Sequence, residues 1–274
     1  GDAERGAAAS TMLAIGGVGG GVGAIVGIGG GNVMLPMMAL ACRGLTQHQM
    51  SATSLAAVVG TGSSAAAGYL AHGHVDAVAA SVIAIAASCS SPIGAKLQSS
   101  ISARRLRLAL AAFVCLSAPL VPLKGQLLAA GNRDARARTA GEAMAEGLSP
   151  GATAVVAGTG LLAGLASGLL GIGGGVVLTP ALALATDLPQ QAILGTSLAA
   201  MVIPSLVGAA VHHRAGTIVW RAAWPLSVGA VLGAAVGCRV ASQLPEAELQ
   251  CVFAIVMGAV GAFMLRGALR LPSV

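Results

Sequence analysis

Long stretches of this chain, among them 44–75, 77–95, 108–123, 147–186, 188–213, 222–238 and 249–265, carry no Asp, Glu, Lys or Arg. Reading the apolar runs against their breakers predicts ten helices. They fall near 9–26, 32–43, 47–71, 76–98 and 104–123, then 150–170, 176–186, 190–212, 219–242 and 247–266. Start signals support the later ones: Ser149-Pro150 reads as an N-cap followed by proline at the first helical position, Pro189 opens another helix, and Leu244-Pro245-Glu246 supplies an acidic first turn. Most of these runs approach the roughly 20 residues that cross a bilayer. Segments 32–43 and 176–186 do not: at about 1.5 Å per residue they reach little more than half of a hydrocarbon core of about 30 Å. Each reads as a half-helix that starts deep in the membrane and returns to the side from which its partner entered.

The order of these elements repeats. Gly27-Ile28-Gly29-Gly30-Gly31 with Pro36 reappears as Gly171-Ile172-Gly173-Gly174-Gly175 with Pro180. Thr53-Ser54-Leu55-Ala56-Ala57 reappears as Thr196-Ser197-Leu198-Ala199-Ala200. The offset is 144 through the glycine motif and 143 after it, and it also pairs Gln47 with Gln190, Gly73 with Gly216, and Lys96 with Arg239. The polar stretch 125–149, with Arg133, Asp134, Arg136, Arg138, Glu142 and Glu146, divides the chain. It separates a first repeat over 9–124 from a second over 150–270. Five elements per half is an odd number, so the second half is expected to be inverted in the membrane.

Composition sharpens this into a class. Hydrophobic residues make up 56% of the chain and charged ones 9%, against about 25% in soluble domains. The expected fold class is therefore an all-α polytopic membrane protein. A net charge of +6 would suggest nucleic acid in a soluble protein, but here the cations sit in short loops between apolar runs, so no nucleic-acid partner is expected. If every element crosses, one side collects Arg5, Arg43, Lys96, Arg104, Arg105, Arg107, Arg214, Arg221, Arg266 and Arg270, and the other Lys124, Arg133, Arg136, Arg138 and Arg239. This imbalance favours both termini in the cytoplasm. The five cysteines lack metal-ligand spacing, and nothing resembles a nucleotide-binding motif, so neither metal nor cofactor is expected.

The candidate chemistry lies at the glycine breaks. Unwound backbone inside a membrane persists where it lines a cavity or is buried in protein. The half-helix that follows each break directs unpaired N–H groups and its positive dipole end back at it. Two such ends meeting from opposite sides make a positively polarised pocket suited to a compact anion. Gly29, Gly30, Gly31, Gly173, Gly174 and Gly175 are the candidate backbone contacts, with Asn32 beside them as a contact or a simple helix cap. Thr53, Ser54, Thr196 and Ser197 can donate hydroxyl hydrogen bonds to oxyanion oxygens; bonding to their own helix is the plain alternative. His72, His74 and Asp76, and at the other interface His212 and His213, are loop polar groups that can also relay protons.

The doubled Gly-x-Gly-Gly-Gly…Pro motif, each copy followed by a Thr-Ser-Leu string, resembles the TauE/SafE family of sulfite exporters over residues 10–268. The resemblance implies a secondary transporter of small sulfur-containing anions, such as sulfite, thiosulfate or an organosulfonate like sulfoacetate, in a bacterial inner membrane. It also implies that the glycines and Thr-Ser pairs named above contact that anion. A more distant similarity, to thiosulfate transporters with assisting cysteines, lacks a repeated cysteine motif here. A passive anion channel is the chief alternative. An intramembrane serine hydrolase built on Leu165-Ala166-Ser167-Gly168 is the other, and it lacks both the leading glycine and a histidine base in a later helix interior. Lipid is the remaining expected partner, and the small-residue faces suit packing within one chain or between copies in a homo-oligomer.

Overall fold

In a computed structural model of the chain, the described residues are 2–42, 44–97, most of 108–123, 150–170, 173–186 and 188–269. They form helices α1 (Asp2–Val26), α2 (Gly31–Ala41), α3 (Gln47–Ala71), α4 (Ala77–Leu97), α5 (Pro150–Leu170), α6 (Gly175–Ala185), α7 (Gln190–Arg214), α8 (Trp220–Gln243) and α9 (Glu246–Leu269). Further helical residues lie within 108–123, and no strand occurs among the described residues. Five helices are long and apolar enough to span a bilayer. The protein is an all-α polytopic membrane protein. The 125–149 linker and the cations Arg104, Arg105 and Arg107 lie outside the described residues.

Helix boundaries follow the breakers with small shifts. α1 begins at Asp2, several residues ahead of the expected start, its opening being rich in alanine, the strongest helix former, with Gly6 as its one weak position. α2 and α6 each begin one residue early, so the third glycine of each motif, Gly31 and Gly175, belongs to the helix it opens. α3 begins with a capping box, Thr46 Oγ1 accepting from Gln49 N and Gln49 Oε1 from Thr46 N. α7 runs two residues past its expected end, which puts His212, His213 and Arg214 in its last turn.

Helix pairing crosses between the halves. α1 lies against α8, α4 against α5, and α3 against α7. The first two seams are made by residues without bulk. A Cβ on Gly16 would strike the carbonyl of Leu226, one on Gly20 that of Ala230, and one on Gly233 that of Gly17. On the second seam Gly160 faces Ile83 and Gly164 faces Ala87. Residue numbers rise together along both seams, so each pair is parallel. Along α3 and α7 they run oppositely: Gly62 meets Leu198 and Val202, whereas Gly208 meets Leu55. α7 is the most enclosed span, 72% buried against 22% for α9, so α3 and α7 form the centre and α9 the rim.

Candidate substrate site at the two glycine breaks

The backbone between α1 and α2 turns back on itself through Gly27, Gly29 and Gly30, all with φ between 75° and 77°. This is the left-handed region that an L-residue with a side chain enters at a cost of about 1–2 kcal/mol. In the second half Gly173 does the same at φ 78°, while Gly174 is right-handed; Gly171 and Ile172 lie outside the described residues. Gly30 and Gly174 are the N-caps of α2 and α6, and their carbonyls each accept two amides of the new helix, from Val33 and Met34 or from Val177 and Leu178.

The two breaks meet. A Cβ on Gly29 would lie 2.6 Å from Met201 Cε and 3.2 Å from Val58 Cγ1, and one on Gly173 would lie 3.2 Å and 3.1 Å from the same two atoms. Val58 and Met201 are equivalent positions in the two halves, on α3 and α7, and both are buried. Gly175, the first residue of α6, packs against Ile28 and the carbonyl of Gly27. The N-termini of both half-helices therefore converge at the middle of the protein, where their first amides have no intrahelical acceptor.

The hydroxyls divide by role. Ser197 Oγ donates to Gly27 O at 2.8 Å, and Thr179 Oγ1 donates to the same oxygen at 2.7 Å, the two hydroxyls being 2.8 Å apart. They tie the second half to the first half's break. Thr53 Oγ1 accepts from Val219 N at 3.2 Å and Thr196 Oγ1 from Asp76 N at 2.9 Å, so each threonine steadies the chain entering α8 or α4 of the opposite half. Ser54 Oγ donates to Ser51 O in its own helix. Asn32 is not the cap of α2, since Gly30 holds that place; its side chain is buried and its Nδ2 has no hydrogen-bond partner. Thr179 was invisible to repeat logic because its counterpart is Leu35.

The loop candidates are spent on local structure. Asp76 Oδ1 accepts from Val78 N and Ala79 N at the start of α4, and His72 Nδ1 lies 2.7 Å from Gly68 O. Burial, and then the neighbouring His72, push the His74 imidazole below its ordinary range, which keeps it neutral at pH 7. At the other end, Trp220 Nε1 donates to His213 Nδ1 at 3.2 Å and His212 Nδ1 lies 3.1 Å from Thr217 Oγ1. Ser167 is buried in a cavity whose lining includes no histidine, so a base for hydrolysis is not beside it.

With this geometry in view, similarity to known proteins becomes informative. The family model described as sulfite exporter TauE/SafE matches residues 2–120 and 156–273. The chain belongs to that family. A probable membrane transporter protein of Bacillus subtilis, YunE, is 24% identical over 265 residues, covering 93% of this chain and 96% of its own length. A probable membrane transporter protein of Xylella fastidiosa is 33% identical over 119 residues, which span 43% of this chain and 46% of the Xylella protein. MamO of Magnetospirillum gryphiswaldense, also named a probable membrane transporter protein, is 32% identical over 148 residues, 51% of this chain and 23% of its own length. No solved structure matches the chain. Family and relatives place the chain among membrane transporters rather than enzymes.

Proposed function

We propose that this chain is a secondary transporter of small sulfur-containing anions (sulfite, thiosulfate or an organosulfonate such as sulfoacetate), working by alternating access between two inverted halves. The observation that carries it is the meeting of Gly29 and Gly173 on the Val58–Met201 pair, with the starts of α2 and α6 beside them. Two helix N-termini concentrate unpaired amides and positive potential at one point without a formal charge. Such a point attracts an anion yet releases it, as a carrier requires.

The directions in which the helices run support inversion. Within a half, successive short turns make the first and fourth helices antiparallel. The first helix of one half nevertheless runs parallel to the fourth of the other, at both seams. That follows if the halves 9–124 and 150–270 are upside down with respect to each other. The excess of cations on the side of both termini favours a cytoplasmic position for those termini, in an inner membrane.

Under this reading direct anion contacts fall to the backbone at Gly29, Gly30, Gly31, Gly173, Gly174 and Gly175 and to the free amide of Asn32. The hydroxyls of Thr53, Ser54, Thr196 and Ser197 shape the cradle through their present bonds and reach the anion when the halves move. The test is counterflow in proteoliposomes preloaded with sulfite, thiosulfate or sulfoacetate, following labelled sulfite. Saturable exchange supports a carrier. Flux without saturation or exchange assigns a channel, and no flux with any of these anions removes the substrate class.

A further inference from the structure

Thr53 and Thr196 are equivalent by repeat, and so are the groups they hold. Thr53 Oγ1 accepts from Val219 N at 3.2 Å and Thr196 Oγ1 from Asp76 N at 2.9 Å. The offset of 143 that carries Thr53 to Thr196 also carries Asp76 to Val219. Each bond joins a central helix of one half, α3 or α7, to the start of the fourth helix of the other, α8 or α4. Both threonines are wholly buried. A backbone amide at a helix start is ordinarily satisfied by water or by a cap from its own segment. Here both are held by a hydroxyl of the opposite half, so the pair binds the two halves to each other.

The heights of the two bonds in the membrane give the pair its meaning. Val58 and Met201 mark the junction of the breaks, and each lies five residues beyond the threonine of its own helix. At about 1.5 Å per residue that is roughly 7.5 Å along α3 and the same along α7. Because α3 and α7 run in opposite directions, the two bonds lie on opposite sides of the junction. One stands between it and the side on which α3 starts, the other between it and the side on which α7 starts. Each bond is backed by packing. A Cβ on Gly195, next to Thr196, would strike the carbonyl of His74, so α7 lies directly on the loop that leads into α4. Ala52, next to Thr53 and the repeat equivalent of Gly195, is buried in a cluster with Ile218 and Ala223 at the start of α8.

We infer that the Thr53–Val219 and Thr196–Asp76 bonds are the two gates of the carrier, both shut in this structure and opened one at a time during transport. This rests on the transport reading above and deepens it, by assigning the residues that alternate. Breaking one bond frees the start of α8 or of α4 to move off the central helix, and water replaces the hydroxyl on the exposed amide. The other bond holds meanwhile, since opening both at once would leave a continuous path. The threonines are positioning residues in this scheme: each fixes a helix start, and the helix start closes the path. By the cation count the Thr53 gate faces the cytoplasm.

Thr→Val keeps the side chain's shape but strands an amide in the shut gate, whereas the open gate hydrates that amide, so the valine shifts the balance toward opening. The reporter is Val58→Cys, at the junction, in the full-length protein with its native cysteines replaced. It is labelled in proteoliposomes by an impermeant thiol reagent from either side, beside counterflow of sulfite, thiosulfate and sulfoacetate. Thr53→Val is expected to raise labelling roughly tenfold from the side on which α3 starts, and Thr196→Val to do so from the opposite side alone. Thr53→Ser and Thr196→Ser, which keep the oxygen, are expected to return labelling to the parent level. Unchanged labelling, labelling of either valine variant from both sides, or of both from the same side overturns the gates while counterflow stands. Opposite-sided labelling without counterflow of any of these anions keeps the gates and removes the substrate class. Should a valine variant not fold, hydrogen exchange of the unmodified protein decides: the amides of Asp76 and Val219 should exchange roughly tenfold faster than those of Leu55 and Leu198, because each gate opens while the centre stays folded. Equal protection overturns the gates.

Discussion

At Gly29 two independent constraints fall on one residue: a φ of 75° and a neighbour, Met201 Cε, 2.6 Å from where a Cβ would stand. Gly29→Ala should therefore lose about 1–2 kcal/mol of stability from the backbone alone, and more from the contact. Pairing it with Met201→Ala should return the steric part and leave the backbone part, which thermal unfolding of the two variants in detergent separates. Ser197 presents a different arithmetic. Because Thr179 donates to the same Gly27 oxygen, Ser197→Ala should cost only about 1 kcal/mol, whereas the double variant with Thr179→Ala strips a buried carbonyl and should cost about 1–3 kcal/mol beyond it. Unfolding midpoints that add simply would show the two hydroxyls to be independent. The glycines at the breaks were legible in the sequence because repetition marked them. Thr179 was not, since it has no repeated partner, and the targets of Thr53 and Thr196 were not, because a hydroxyl's partner on another helix leaves no trace in local spacing.

Among the elements, the seams between α1 and α8 and between α4 and α5 depend on the absence of side chains. In lipid there is no hydrophobic drive between helices, so close backbone approach and dispersion must hold them. A leucine at Gly20, where even a Cβ would strike the carbonyl of Ala230, should prevent the seam from forming. Gly258→Leu on α9, where a Cβ meets nothing within 4 Å, should be tolerated. Membrane yield and monodispersity of the two variants decide the point, and equal behaviour would contradict the seam. The four-residue spacing of Gly229, Gly233 and Gly237 announces a helix-packing face in the sequence. What it could not announce is the partner, since Gly16 and Gly17 stand more than two hundred residues away in the chain.

For the whole molecule the informative prediction concerns sidedness. His72 and Ala215 are equivalent by repeat and follow α3 and α7, which run in opposite directions. With the native cysteines replaced, His72→Cys should react with an impermeant thiol reagent from one side of the membrane and Ala215→Cys from the other. Labelling of both from the same side would dismiss inversion and, with it, the rocking mechanism. The cation count predicts which side is which: position 72 outside and position 215 in the cytoplasm.

The sequence by itself determined the class and the landmarks. Its long uncharged runs require a bilayer, and its doubled glycine motif marks where two helices are interrupted, because both are local consequences of solvent and backbone freedom. The tertiary structure decided which pieces meet. It brought Gly29 and Gly173 to the same two side chains, turned Thr53 and Thr196 toward the opposite half, and left a cavity at Ser167 behind the second break. Those outcomes depend on which surfaces fit across long chain separations. No local pattern encodes that.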